Sequence, residues 1–427
     1  MRRDFLKLCG LVGLGLACPG GMTSLLRAAS KEDAPYAGPY YVVFNAAGGW
    51  DTTYLMDPKG VGGINRLYQE GDILTEGQHK YAPTAKQIKS GMSNEEFFRE
   101  FGKELLVLNG LDYSVNNHSP GARYMATGKL DSMAYPTFAA LVAACKGPTC
   151  PLSFLTFGNY SATGNVVAMS RVPYLPSLQK IANADAIDGN ARSPYHDDFA
   201  LSRIEQALQE GNESRAAQPR LPRQERGEGM LYAAQVNSKS LERITPYIPR
   251  QIPKERLSQQ AEIALASFKA GVCVSGNLSI GQFDSHANND ADQMKLIPEF
   301  LAGIAYLMRR AEELNIRQKI VVVVQSEMGR TPTYNAGNGK DHWSIGSAMF
   351  FGAGIRGNRI VGATDEKQFP IPLNPKTLGD DKSAGIRMRP EHVHLALRQF
   401  AGIADHPISK TFPLGVRANE ELQQLWT

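Results

Sequence analysis

Four consecutive valines, Val321 to Val324, lead into Gln325-Ser326-Glu327-Met328-Gly329-Arg330-Thr331-Pro332, and a Gly/Asn-rich stretch then reaches Lys340-Asp341-His342-Trp343. A buried strand that ends in a carboxylate and an arginine holds one potential ligand rigidly. The returning loop brings an imidazole and further charge back to the same edge. Residues 279–288 repeat the arrangement, because Asp284 and His286 stand two apart after an apolar run. In an extended or turned segment both can reach one cation. An imidazole beside a carboxylate suits zinc, manganese or iron, whereas carboxylates alone suit magnesium or calcium.

Two more polar clusters close apolar runs. After Val42-Val43-Phe44 the chain reads Asn45-Ala46-Ala47-Gly48-Gly49-Trp50-Asp51. The glycines permit a sharp turn that aims Asp51 at the carboxyl edge of a sheet, and a helix N-cap is its equally plain structural role. Asn116-Asn117-His118-Ser119-Pro120-Gly121 follows the run 105–111 and opens a helical pattern. His118 and Ser119 are candidates there for nucleophile or ligand, while an N-cap serine is the ordinary role. A Glu327–Arg330 ion pair closing the valine strand is a third bland reading, although burying two charges brings little net stability. Any one of these histidines has an ordinary structural use. Four polar clusters, each at the end of an apolar run, point to one shared site.

The elements that must carry them are legible in the hydrophobic pattern. Short apolar runs at 40–45, 105–111, 153–157, 272–280, 320–325 and 348–351 predict buried strands. Apolar residues at three- and four-residue spacing predict helices over 135–145, 257–270, 294–314 and 392–400. Strands alternating with long helices define an α/β class, a doubly wound and mainly parallel sheet covered on both faces. One domain over 36–427 is expected, with insertions near 57–100 and 174–256, the second helical. His392 and His394 are two apart on a helix and face different ways, so they are not joint ligands. The Gly-rich 352–357 lacks a following helix and is set aside as a dinucleotide loop.

Of 427 residues, 42% are hydrophobic and 21% charged, with a net charge of only +4, so nothing favours nucleic-acid binding. Arg2-Arg3-Asp4-Phe5-Leu6-Lys7 resembles a twin-arginine export signal, and the apolar run 8–17 after it is too short to span a membrane. A signal over 1–29, cut near Ala28 or Ala29, predicts a periplasmic or extracellular protein with no transmembrane anchor in the mature chain. Lipidation at Cys18 is the alternative. Cys145 and Cys150 bracket a tight turn and are candidates for a local disulfide in an oxidising compartment, and Cys273 is expected to be buried.

Gly-Gly-Trp-Asp, Phe-Asp-Ser-His-Ala-Asn, Ser-Glu-Met-Gly-Arg-Thr-Pro, Asp-His-Trp and Val361-Gly362-Ala363-Thr364-Asp365 together resemble the domain-of-unknown-function 1501 family, over about residues 40 to 404. Its members are exported, often through the twin-arginine machinery, and belong to the alkaline-phosphatase-like or sulfatase-like superfamily. The resemblance implies a two-metal centre that hydrolyses phosphate or sulfate esters. Asp51 then matches the first metal-binding aspartate, and Asp284 with His286 the Asp/His pair of one metal, at closer spacing than usual. Glu327 falls where the superfamily has Asp-His, so Met328 replaces one ligand histidine, and His342 stands for the last. Residues 117–128 resemble the nucleophile helix, with His118 at the nucleophile position and Ser119 one residue late. No Cys-x-Pro-x-Arg sequence is present to form a formylglycine.

The expectation is therefore an exported metal-dependent hydrolase of an anionic phosphate or sulfate ester, its partner an anionic ester substrate or a polysaccharide. Asp51, Asp284, His286, Glu327 and His342 would hold zinc, manganese or magnesium, one ion rather than two because ligands are lost. The ion would polarise the ester and activate water or Ser119, while Arg330 steadies the anionic group. A non-catalytic binding or scaffold protein for carbohydrate or cell-surface polymer is the alternative, since a fold does not dictate a function.

Overall fold

The computed structural model describes residues 34–426 except 61, 184, 186–194, 217–220, 222–223 and 225–237. The expected export signal, with Cys18 and the cleavage positions, lies outside the described residues.

Eight strands build the central sheet: β1 (Tyr40–Ala46), β2 (Leu106–Asp112), β3 (Phe154–Thr156), β4 (Met169–Ser170), β5 (Ser275–Ile280), β6 (Ile320–Gln325), β7 (Ile345–Gly352) and β8 (Arg359–Val361). Their order is β8-β2-β7-β6-β1-β5-β3-β4. Every pairing is parallel except the two that β7 makes, with β2 and β6. The valine run shows why an unbroken apolar string was required. Val322 and Val324 enter one core with Val42 and Phe44, and Val321 and Val323 enter a second with Tyr41 and Val43. A strand buried on both faces has no polar side to alternate with.

Helices cover both faces, as expected. On one lie α1 (Asn94–Phe101), α6 (Arg256–Lys269) and α7 (Asn289–Glu313), which bring Phe98, Phe268 and Phe300 into the first core. On the other lie α3 (Phe138–Lys146) and α8 (Pro390–Phe400), bringing Leu141 and Leu397 into the second. α2 (His118–Thr127) starts on the capping side chain of Asn117 and ends on left-handed Gly128. Between residues 174 and 256 the described structure holds α4 (Leu175–Ala182), α5 (Asp198–Ala216) and a 3-10 stretch, Ser238–Tyr247. α1, opened by the Ser93/Glu96 capping box, follows the stretch from Asp57 and buries Phe97, Phe98 and Phe101 completely.

No disulfide joins Cys145 and Cys150. The turn closed by Cys150 N–H on the Gly147 carbonyl (3.1 Å) aims the Cys150 sulfur at the Gly271 carbonyl, 4.0 Å away. Burial pushes the Cys145 thiol up to about 12, and Cys273 is fully buried as expected. His392 and His394 have separate partners, the Arg389 N–H and the Met125 carbonyl.

Candidate metal centre

The parallel strands all end at one sheet edge, so the turns after β1, β5 and β6 and the start of α2 converge there. Gly48 and Gly49 have φ of +120° and +91°, and a Cβ on Gly48 would meet the Asp284 backbone nitrogen at 2.5 Å. Only glycine fits between these two turns.

Four groups meet beyond the turn. His118 Nε2 lies 3.2 Å from Asp284 Oδ2. His342 Nε2 and His286 Nε2 lie 3.2 and 3.1 Å from Asp284 Oδ1, and 3.0 Å from each other. Donor atoms of His118, Asp284 and His342 all fall within 4.8 Å of one another. The opposite nitrogen of each ring is occupied. His118 Nδ1 meets Glu327 Oε1 at 3.1 Å, His286 Nδ1 meets Asp341 Oδ1 at 2.8 Å, and His342 Nδ1 meets the Asn116 carbonyl at 2.9 Å. The antiparallel pairing of Gly329–Arg330 with His342–Trp343 carries His342 back to the site.

Those outer partners are acceptors, so each Nδ1 donates, and a neutral ring then directs a bare Nε2 lone pair inward. With neutral rings, the three Nε2 atoms and the Asp284 carboxylate form a donor set that a cation could bridge. Asp284, Glu327 and Asp341 against Arg330 leave a local charge of −2 with neutral imidazoles, matching a divalent cation. The donor set fits a metal. The site is reachable, since the side chains of Asp284 and His286 are 40% and 47% exposed.

Glu327, read from sequence as a ligand, sits behind His118. It is buried, its Oε1 also accepts from the Gly48 N–H at 2.7 Å, and its buried Oε2 has no hydrogen-bond partner among the described residues. Asp51 lies apart from the imidazoles. Its Oδ1 accepts from the Thr53 N–H (3.1 Å) and hydroxyl (2.6 Å), and its Oδ2 from Asn289 Nδ2 (2.9 Å) and Lys340 Nζ (2.7 Å). Every lone-pair direction of that carboxylate is filled, and the N-cap role is the one it performs.

Arg330 does not pair with Glu327. Its guanidinium donates to the Gly49 carbonyl (2.8 Å), the Gly48 carbonyl, the Lys340 carbonyl (3.1 Å) and Asp284 Oδ1 (2.8 Å). With its side chain wholly buried, it holds the turns and Asp284 together and cannot touch an ester. Ser119 is exposed one residue past His118, and among the described residues its hydroxyl makes no hydrogen bond. Lys340 and Asp341 stand in the motif, but their partners, Asp51 and His286, lie far along the chain and have no local signal.

Electrostatics follow the contacts. The hydrogen bond to Glu327 raises the His118 pKa above the usual imidazole range, against burial and with help from Asp284. Burial pushes the Asp284 carboxyl up, but Arg330, His342 and His118 together hold it below the carboxylate range. Asp341 is lowered by the hydrogen bonds from His286 and Asn335.

Sheet and site together define an α/β protein with a His/Asp cluster at the carboxyl edge of its strands. The family described as "Protein of unknown function (DUF1501)" matches residues 249–380, which include Asp284, His286, Glu327, Arg330 and His342 but neither Asp51 nor His118. No curated protein matches the sequence. Among solved structures, Ps i-CgsB is similar at 10% identity, covering 91% of this chain and 75% of that one, with a TM-score of 0.41. The PsFucS1 sulfatase from Pseudoalteromonas sp. is similar at 9% identity, over 90% and 71%, with a TM-score of 0.36. Alkaline phosphatase from the Antarctic bacterium TAB5 is similar at 10% identity, over 86% and 99%, with a TM-score of 0.34.

Proposed function

We propose that this chain is an exported, metal-dependent hydrolase of an anionic phosphate or sulfate ester, with His118, Asp284, His286 and His342 holding the cation. The observation that carries the reading is the meeting of three Nε2 atoms at Asp284, each with its Nδ1 already committed. A divalent ion bound there would supply charge stabilisation and a polarised ester. The chain's own part is to hold that charge in place. Arg330 anchors Asp284 from the buried side, and Glu327 and Asp341 orient two of the rings. Water is the attacking group in this reading, because among the described residues no hydrogen bond ties the Ser119 hydroxyl to the cluster. Export is supported by the Arg2–Lys7 motif, and among the described residues no helix is long and apolar enough to cross a membrane.

A binding or scaffold role for carbohydrate or surface polymer is the second reading. It is favoured by Asp51, whose carboxylate is taken by Lys340. Metal content of the purified folded protein, followed by hydrolysis of aryl phosphate and aryl sulfate esters, decides between the two. A metal-free, inactive protein whose melting ignores chelators rejects the hydrolase.

A further inference from the structure

We infer that Glu327 and Asp341 are positioning residues and not ligands, so that the centre is a three-imidazole, one-carboxylate site selecting a zinc-type cation over magnesium. The inference rests on the metal reading above and specifies it.

Both carboxylates stand on the far side of a ring. Glu327 Oε1 is engaged by the Gly48 N–H and His118 Nδ1, behind the ring, whereas the donor atoms of His118, Asp284 and His342 lie mutually close and His286 joins them with its Nε2 3.1 Å from Asp284 Oδ1 and 3.0 Å from His342 Nε2. Asp341 Oδ1 receives His286 Nδ1 at 2.8 Å and Asn335 Nδ2 at 3.1 Å. The Asn335 amide also donates to the His286 carbonyl at 3.0 Å, so one side chain ties this carboxylate to the backbone of the ring it orients. A carboxylate accepting Nδ1–H selects the tautomer with a free Nε2 and makes that nitrogen more basic. The third ring reaches the same state through the Asn116 carbonyl.

Chemical selectivity follows. Three neutral imidazoles and one carboxylate suit zinc and its neighbours, whereas magnesium demands oxygen ligands. Arg330 already answers part of the Asp284 charge at 2.8 Å. The two charges of the cation are therefore balanced largely by Glu327 and Asp341, through the rings.

The test is a titration of the chelator-treated full chain with Zn2+, Co2+ and Mg2+, reading affinity and, for Co2+, the visible absorption spectrum. Melting of each metal-free variant controls for folding. Wild type should bind Zn2+ and Co2+ far more tightly than Mg2+. Glu327→Gln and Asp341→Asn should keep the shape of the Co2+ spectrum while weakening affinity roughly 10–100-fold, as loss of an orienting carboxylate does. His342→Ala should change the spectrum or abolish it. A changed spectrum in Glu327→Gln or Asp341→Asn would make that residue a ligand and overturn the inference, as would unaltered affinity in both variants or a preference for Mg2+. Asp341 is 57% exposed, so its variant reports even where Glu327→Gln fails to fold. A wild-type chain that binds none of the three ions overturns the metal reading itself, and this inference with it.

Discussion

Lys340 Nζ lies 2.7 Å from Asp51 Oδ2, with both side chains wholly excluded from solvent. The ammonium also sits 5.5 Å from the Tyr54 ring centroid and 5.1 Å from that of Tyr334. Asp51, which motif and spacing offer to a metal, therefore has a cation supplied by the chain itself. Lys340 immediately precedes Asp341-His342, so this pair clamps the loop that delivers His342 against the turn after β1.

Removing one partner of such a pair strands a buried charge. Lys340→Met should destabilise the metal-free protein by about 3–5 kcal/mol, and combining it with Asp51→Asn should recover part of the loss. Urea unfolding of the chelated protein measures both. A cost below about 1 kcal/mol for Lys340→Met would mean that the pair is not buried in solution.

Asp51→Asn and Asp284→Asn should separate in metal content. Asp284 faces all three Nε2 atoms, while Asp51 faces none of them. Elemental analysis should find the ion lost from Asp284→Asn and retained in whatever Asp51→Asn folds. Retention of metal by Asp284→Asn would place the centre elsewhere.

Gly48→Ala should damage site and fold together. The added methyl meets the Asp284 backbone nitrogen at 2.5 Å, at a φ that side chains rarely adopt. The strain is on the order of 1–3 kcal/mol before any clash is relieved. Thermal melting and Zn2+ affinity should both fall, and a variant with wild-type values in each would show that these turns do not pack as described.

Stability should depend on pH through His394, which lies outside the metal centre. Burial lowers its pKa from the ordinary 6.5 to about 4, and its Nε2 donates to the Met125 carbonyl at 2.8 Å. The folded state keeps this ring neutral while the unfolded chain protonates it at the ordinary value. Its contribution is thus fully present above pH 6.5 and is lost as pH falls toward 4, levelling off below. The shift corresponds to about 3 kcal/mol. His394→Gln should flatten the stability profile in that window, measured by urea unfolding at several pH values. A variant profile as steep as wild type would remove His394 as the cause.

Runs and spacing made much of the fold readable. Val321–Val324 announced a strand buried on both faces, because only an unbroken apolar string suits a parallel sheet covered twice. The antiparallel direction of β7 was not readable, since a buried strand has the same pattern either way round. Helix α7 begins at Asn289, before its first clear apolar repeat, because Asn288 turns in the left-handed region at φ 52°.

The same division holds at the site. By itself the sequence determined which residues stand in polar clusters beside the apolar runs: Asp51, His118, Asp284, His286, Glu327 and His342. Strand termini and polar motifs are local properties, set by periodicity and turn residues. Only the tertiary structure decided which of them face one another. It paired Asp51 with Lys340 across 289 positions and set Glu327 behind His118 across 209. It turned Arg330 inward and brought His286 and His342 together at Asp284. Those choices depend on the order of strands in the sheet and the direction each turn takes after leaving it. Neither is encoded by the spacing of the residues that end up in contact.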